Sequence, residues 1–152
     1  MFKPRLRRLE WLYTDRPLYF LTTCVHDRRR LLDNESIHRA FMNFCGKASA
    51  QGVWVGRYVL MPDHVHLFAA FAPSAPSLSC WMKALKRTLA LVVPGDGVSG
   101  PCWQKGFFDH VLRSAESYRL KWEYVRQNPV RAGLVKRPED WPYQGEVFPL
   151  EL

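Results

Sequence analysis

His64 and His66 are the first pair in this chain whose type and spacing suggest chemistry. They flank Val65 in the run His64 to Phe71, whose composition predicts a β-strand. Side chains on a strand alternate faces, so the two imidazoles point the same way, about 7 Å apart along the chain. Val65, Leu67 and Ala69 point to the other face. Two imidazoles on one face are a start for a divalent metal site, which needs a third ligand from elsewhere. The alternative is a pair of ordinary polar residues on a half-exposed strand.

A candidate for the rest of the site lies sixty residues on. Ser114 predicts the cap of a helix running to about Gln127, where Pro129 stops it. Tyr118, Trp122 and Val125 form its apolar stripe. Tyr124 is rotated from that stripe by about 130° at 100° per residue, so it is not an obvious core residue. Asn128 follows at i+4 and shares its face, provided the helix persists that far. Docked over the histidines, such a helix would present a phenol and an amide oxygen together. A surface tyrosine followed by an Asn-Pro turn explains the same residues, and spacing does not choose between the two.

The elements that must position these residues follow from pattern. Leu18 to His26 predicts a first strand, followed by a turn at Arg28, Arg29 and Arg30. Asn34 caps a helix with Ile37, Phe41, Phe44 and Ala48 on its buried side, ended by Gly52. Val53 to Leu60 is a second strand, and the turn Met61-Pro62-Asp63 joins it to the histidine strand as a hairpin. Ser77 caps a second helix with Leu78, Trp81, Leu85, Leu89 and Val92 buried. Trp103 to Leu112 reads as a fourth strand. The order β-α-β-β-α-β-α predicts one α+β domain over residues 1–152. Its core is a ferredoxin-like split βαβ antiparallel sheet, with the tyrosine-bearing helix added at the C-terminal side.

Composition bounds the function. The 152 residues carry 22 Lys and Arg against 14 Asp and Glu, a net charge of +8. That excess favours a polyanionic partner such as nucleic acid. It resides in the body and the first thirty residues, because the last twenty are net acidic. Aromatic content of 14% argues against disorder. No apolar run approaches the roughly 20 residues of a membrane span, and no secretory signal is evident. Cys24, Cys45, Cys80 and Cys102 lack metal-ligand spacing, so buried free thiols are expected. Candidate phosphate contacts are Arg5, Arg7, Arg8, Arg28, Arg29, Arg30, Lys83, Lys86, Arg87, Arg113, Arg126 and Arg131. Trp54, Trp81 and Trp103 can stack bases or pack in the core.

Three segments carry a resemblance. Met61-Pro62-Asp63-His64-Val65-His66-Leu67 resembles the HUH segment of single-tyrosine HUH transposases. The run from Tyr124 through Asn128-Pro129-Val130-Arg131 to Val135 resembles their tyrosine helix and the turn after it. Trp103 to Arg113 (WQKGFFDHVLR) looks like the segment between. The likeness extends from about Tyr19 to Tyr143 and is nearest the repeat-associated (REP-associated, RAYT) type. It implies single-strand DNA cleavage and joining in a bacterial cytoplasm, at the nucleoid. It makes His64, His66 and Asn128 ligands of Mg²⁺ or Mn²⁺ and Tyr124 the nucleophile of a 5′-phosphotyrosine intermediate. It also implies a hairpin-bearing single-stranded DNA partner, no membrane and no nucleotide cofactor, and a homodimer or a monomer. Lys83, Lys86, Arg87, Arg113, Arg126 and Arg131 are the expected DNA contacts. Two other readings compete: a non-catalytic RRM-like DNA-binding regulator, and a replication or relaxase-type HUH nickase.

Overall fold

The computed structural model describes residues 18–94 and 100–150. Arg5, Arg7 and Arg8 lie outside the described residues. Five strands form one sheet: β1 Leu18–Cys24, β2 Val53–Met61, β3 His64–Phe71, β4 Phe108–Leu112 and β5 Gln144–Glu146. Their order is β4-β1-β3-β2-β5, with every neighbouring pair antiparallel. The first four strands thus follow the ferredoxin-like split βαβ arrangement. The helices are α1 Glu35–Lys47, α2 Leu78–Ala90, α3 Ala115–Val125 and the short α4 Asn128–Arg131.

Capping fixes where the long helices start. Asn34, Ser77 and Ser114 each accept a backbone N–H from three residues on, at Ile37, Cys80 and Ser117. After α1 a 3-10 turn runs to Gly52, whose φ of +87° suits glycine and releases the chain into β2.

The sheet is covered on both faces. Val65, Leu67 and Ala69 pack with Ile37 and Phe41 of α1 and with Trp81, Leu85 and Leu89 of α2. Phe68 and Ala70, on the other face, pack with Tyr118, Trp122 and Val125 of α3 and with Trp141 and Leu150. The period-two alternation of β3 therefore separates two cores and puts His64 and His66 on the α3 side. A bulge in β2 between Val55 and Tyr58 keeps this parity. At the bulge Gly56 lies under Leu150 and Tyr118, where a Cβ would stand 2.6 Å from Leu150 Cδ1.

Several expectations need correction. The fourth strand starts at Phe108, and Trp103 only bridges Val25, because Gly106 takes a left-handed φ of +74°. Val92 is exposed, since α2 has ended at Ala90. The third helix ends at Val125 rather than Gln127. Only Cys45 is buried among the four free thiols, and Cys80 is exposed on α2. No helix among the described residues is long and apolar enough to cross a membrane.

Candidate active site

The hairpin tip that launches β3 is held from three sides. Leu31 and Leu32 donate backbone N–H groups to Pro62 O, and Val25 donates to Asp63 O. Asp27 and Arg28 have φ of 61° and 51°, a left-handed backbone costing about 1–2 kcal/mol per non-glycine residue. That turn delivers the Arg28 guanidinium to Asp63, with Nε donating to Oδ2 at 2.9 Å.

Both histidines are anchored through Nδ1. His64 Nδ1 lies 2.8 Å from Asp63 Oδ1, and His66 Nδ1 lies 2.8 Å from the Thr22 hydroxyl. Arg28 Nη2 also stands 3.3 Å from His64 Nδ1. The carboxylate contact is shorter and makes Nδ1 the protonated nitrogen. A backed Nδ1 leaves Nε2 of His64 free to bind a cation, an arrangement recurrent at metal-binding histidines. The rings sit edge to face, with centroids 4.7 Å apart.

Electrostatics keep both rings neutral. Burial pushes His64 below the ordinary histidine value despite Asp63. Burial pushes His66 down to about 3, helped by His64, Lys121, Arg131 and Arg28. Burial alone would raise Asp63, but its bonds to His64 and Arg28 hold it below the usual carboxylate range. Neutral imidazole is the metal-binding form.

The same shifts set acid stability. Burial also lowers His38, whose Nε2 lies 2.8 Å from Tyr58 Oη. Each lowered histidine binds a proton more readily in the unfolded chain. Stability is therefore intact above the unfolded histidine value of about 6.5 and falls as the pH drops below it. The melting temperature should decline steadily from pH 7 toward pH 4. His38→Gln, which keeps a partner for Tyr58 but takes no proton, should flatten that decline. An unchanged slope in the variant would remove His38 from the account.

Helix α3 carries the phenol of Tyr124. Tyr118 and Trp122 pack edge-on to Phe68, two residues beyond His66 on the same face. Lys121, one residue before Trp122, places its ammonium 5.2 Å from the Phe20 ring centroid, and Phe20 stacks on His66. Tyr124 is 64% exposed. Tyr58 and Tyr118 are buried instead, and burial raises both, Tyr118 to about 12. They are inaccessible and firmly protonated.

Asn128 belongs to α4, across a break at Arg126 and Gln127 imposed by Pro129. Arg131 reunites it with Tyr124. Its guanidinium lies 3.9 Å over the Tyr124 ring and donates to Asn128 Oδ1. Among the described residues no group of three or more His, Cys, Asp or Glu side chains is placed to hold a metal ion by itself. Asn128 Oδ1 keeps a second lone pair beside the one that Arg131 occupies. Two ring nitrogens and an amide oxygen, if brought together, would suit Mn²⁺ and, less closely, Mg²⁺.

The other expected contacts are dispersed. Lys83, Lys86 and Arg87 ride on α2, which packs against the sheet face opposite the histidines. The Lys86 ammonium donates to the carbonyls of Gln104 and Gly106. Arg126 pairs with Glu123 and Glu139. Arg113 is exposed between β4 and α3. Arg29 donates to the carbonyls of His26 and Pro101. Trp54 and Trp81 are core residues, and Trp103 donates its indole N–H to Lys86 O. Sequence reasoning missed Thr22, Asp63 and Lys121. Asp63 adjoins His64 in the chain, but Thr22 becomes visible only through the β1–β3 register.

The chain is similar to several known proteins. The family model described as "Transposase IS200 like" matches residues 16–128. A Haemophilus influenzae protein described as a REP-associated tyrosine transposase is 24% identical, over 90% of this chain and 88% of its own length. The Escherichia coli K12 REP-associated tyrosine transposase is 26% identical over 59% of this chain and 52% of its own. Among solved structures, a REP-associated tyrosine transposase bound to a REP hairpin superposes with a TM-score of 0.68. It has 23% identity and covers 84% of this chain and 75% of that one. A transposase from Deinococcus radiodurans superposes at 0.51, with 20% identity and coverage of 74% and 91%.

Proposed function

The chain belongs to the IS200-like transposase family, and from that premise we propose that it cuts and rejoins single-stranded DNA beside hairpins, with Tyr124 as nucleophile. The observation that carries this reading is the grip of Arg131 on both Tyr124 and Asn128, with its charge also bearing on His66. A hairpin partner is supported by the solved relative bound to one.

A phosphodiester resists attack because its charge repels nucleophiles. His64, His66 and Asn128 would hold a divalent cation, which neutralises phosphate charge and polarises the P–O bond when bound. Tyr124 Oη attacks phosphorus, losing its proton to solvent. The P–O3′ bond breaks, and the departing oxygen takes up a proton as a free 3′-OH. The 5′-phosphotyrosine keeps one phosphodiester for each one broken. A 3′-OH can therefore reverse the step without a nucleotide cofactor. Lys121 and Arg131 supply positive charge on the histidine side, where the DNA backbone must run.

The test mixes the full chain with labelled single-stranded DNA carrying hairpins and single-stranded flanks, plus Mn²⁺. A denaturing gel should show a protein–DNA adduct, absent when EDTA is added. DNA retained without adduct on a repeat hairpin from the chain's own host genome would replace cleavage by hairpin binding.

A further inference from the structure

The sheet register extends the histidine face outward. His66 pairs with Thr22 of β1, and Thr22 pairs with Phe108 of β4. Directly opposed residues share a face, so His66, Thr22 and Phe108 form one row across three strands. At about 4.8 Å per strand, the Phe108 backbone lies roughly 10 Å from that of His66. Packing confirms the parity. Phe107 packs into the core beneath α1 and α2, while Leu112 is buried in the core beneath α3.

Phe108 itself is 69% exposed on the edge strand. Among the described residues no ring contact engages it, whereas Phe20 is held between His66 and Lys121. Such a ring contributes nothing to the core. It does offer a flat apolar surface at the rim of a face that carries the Lys121 ammonium beside Phe20 and His66 and the Arg131 charge near His66, with Arg28 paired to Asp63. Cations along a backbone path with an aromatic ring beside it are what single-stranded nucleic acid needs. The net charge of +8 favours the same occupant.

We propose that Phe108 is a stacking platform for an unpaired nucleobase close to the phosphate that reacts at the histidine face. The inference rests on the cleavage reading for its substrate. It goes beyond that reading by assigning a base-binding position to the WQKGFFDHVLR segment.

The experiment uses the full chain and hairpin oligonucleotides carrying one 2-aminopurine at successive positions of the single-stranded flank, with EDTA or with Mn²⁺. Wild type should quench fluorescence strongly at one flank position, and Phe108→Ala should not. Phe108→Ala should bind about 5- to 100-fold more weakly, the range for losing one stacked base. Phe108→Trp should retain affinity and Phe108→Leu should not. An abasic site at the quenched position should weaken wild type and leave Phe108→Ala unchanged. Melting temperatures should match, since the ring is exposed. Equal affinity and quenching in Phe108→Ala would overturn the platform. So would a wild-type dimer in sedimentation that Phe108→Ala dissolves, which would make a second copy the occupant. Quenching without any covalent adduct would sink cleavage and leave the platform standing. The reverse result would sink the platform alone.

Discussion

Tyr124→Phe should form no covalent adduct with hairpin-bearing single-stranded DNA. Its strand cleavage should fall by about 10⁴ or more, the scale on which losing a nucleophile acts. DNA affinity should stay within a few-fold of wild type. The substitution removes one exposed oxygen and leaves the ring under the Arg131 guanidinium, so neither the fold nor the cationic surface changes. The control is the other tyrosines. Tyr118→Phe and Tyr58→Phe remove buried hydroxyls bonded to Arg57 N and to His38. Those variants should lose about 0.5–1.5 kcal/mol of stability and keep the adduct. A denaturing gel reads all three. An adduct that persists in Tyr124→Phe, or vanishes only in Tyr118→Phe, would reject Tyr124 as nucleophile.

The cores were legible in the sequence because periodicity is a direct image of burial. Val65, Leu67 and Ala69 alternate with the histidines, and Tyr118, Trp122 and Val125 recur at helical spacing. Each set is buried where the pattern required. Strand β5 escaped notice because Gln144–Glu146 has no apolar pattern, and it exists through pairing with β2. Site contacts made across the sheet were hidden for a related reason. Thr22 lies 44 residues from His66 and meets it only through register. The i+4 argument for Tyr124 and Asn128 required an unbroken helix, which Pro129 prevents. The two residues nevertheless meet through Arg131, a contact that spacing did not display. Lys83, Lys86 and Arg87 clustered in the sequence, but their helix α2 packs on the sheet face opposite the histidines, a placement that clustering alone does not display.

The second large effect should come from His66. His66→Ala should lose measurable Mn²⁺ binding by calorimetry and, with it, metal-dependent cleavage, while metal-free DNA binding persists. Asp63→Asn should weaken Mn²⁺ binding by about 10- to 100-fold, the usual cost of removing a partner that orients a ligating histidine. The asymmetry follows from the geometry. His66 supplies a neutral ring whose Nδ1 is already taken by Thr22, so on the proposed reading its removal deletes a ligand. Asp63 touches only the back of His64, so the Asn variant leaves His64 in place with a weaker anchor. Asp63→Asn also neutralises the partner of Arg28, and the strained turn at Asp27 and Arg28 then has one fewer contact to hold it. The melting temperature of Asp63→Asn should therefore fall without metal, an effect that losing a ligand alone would not produce. Wild-type Mn²⁺ affinity in His66→Ala would place the metal elsewhere. Unchanged affinity and melting in Asp63→Asn would show that the Arg28–Asp63–His64 chain orients nothing.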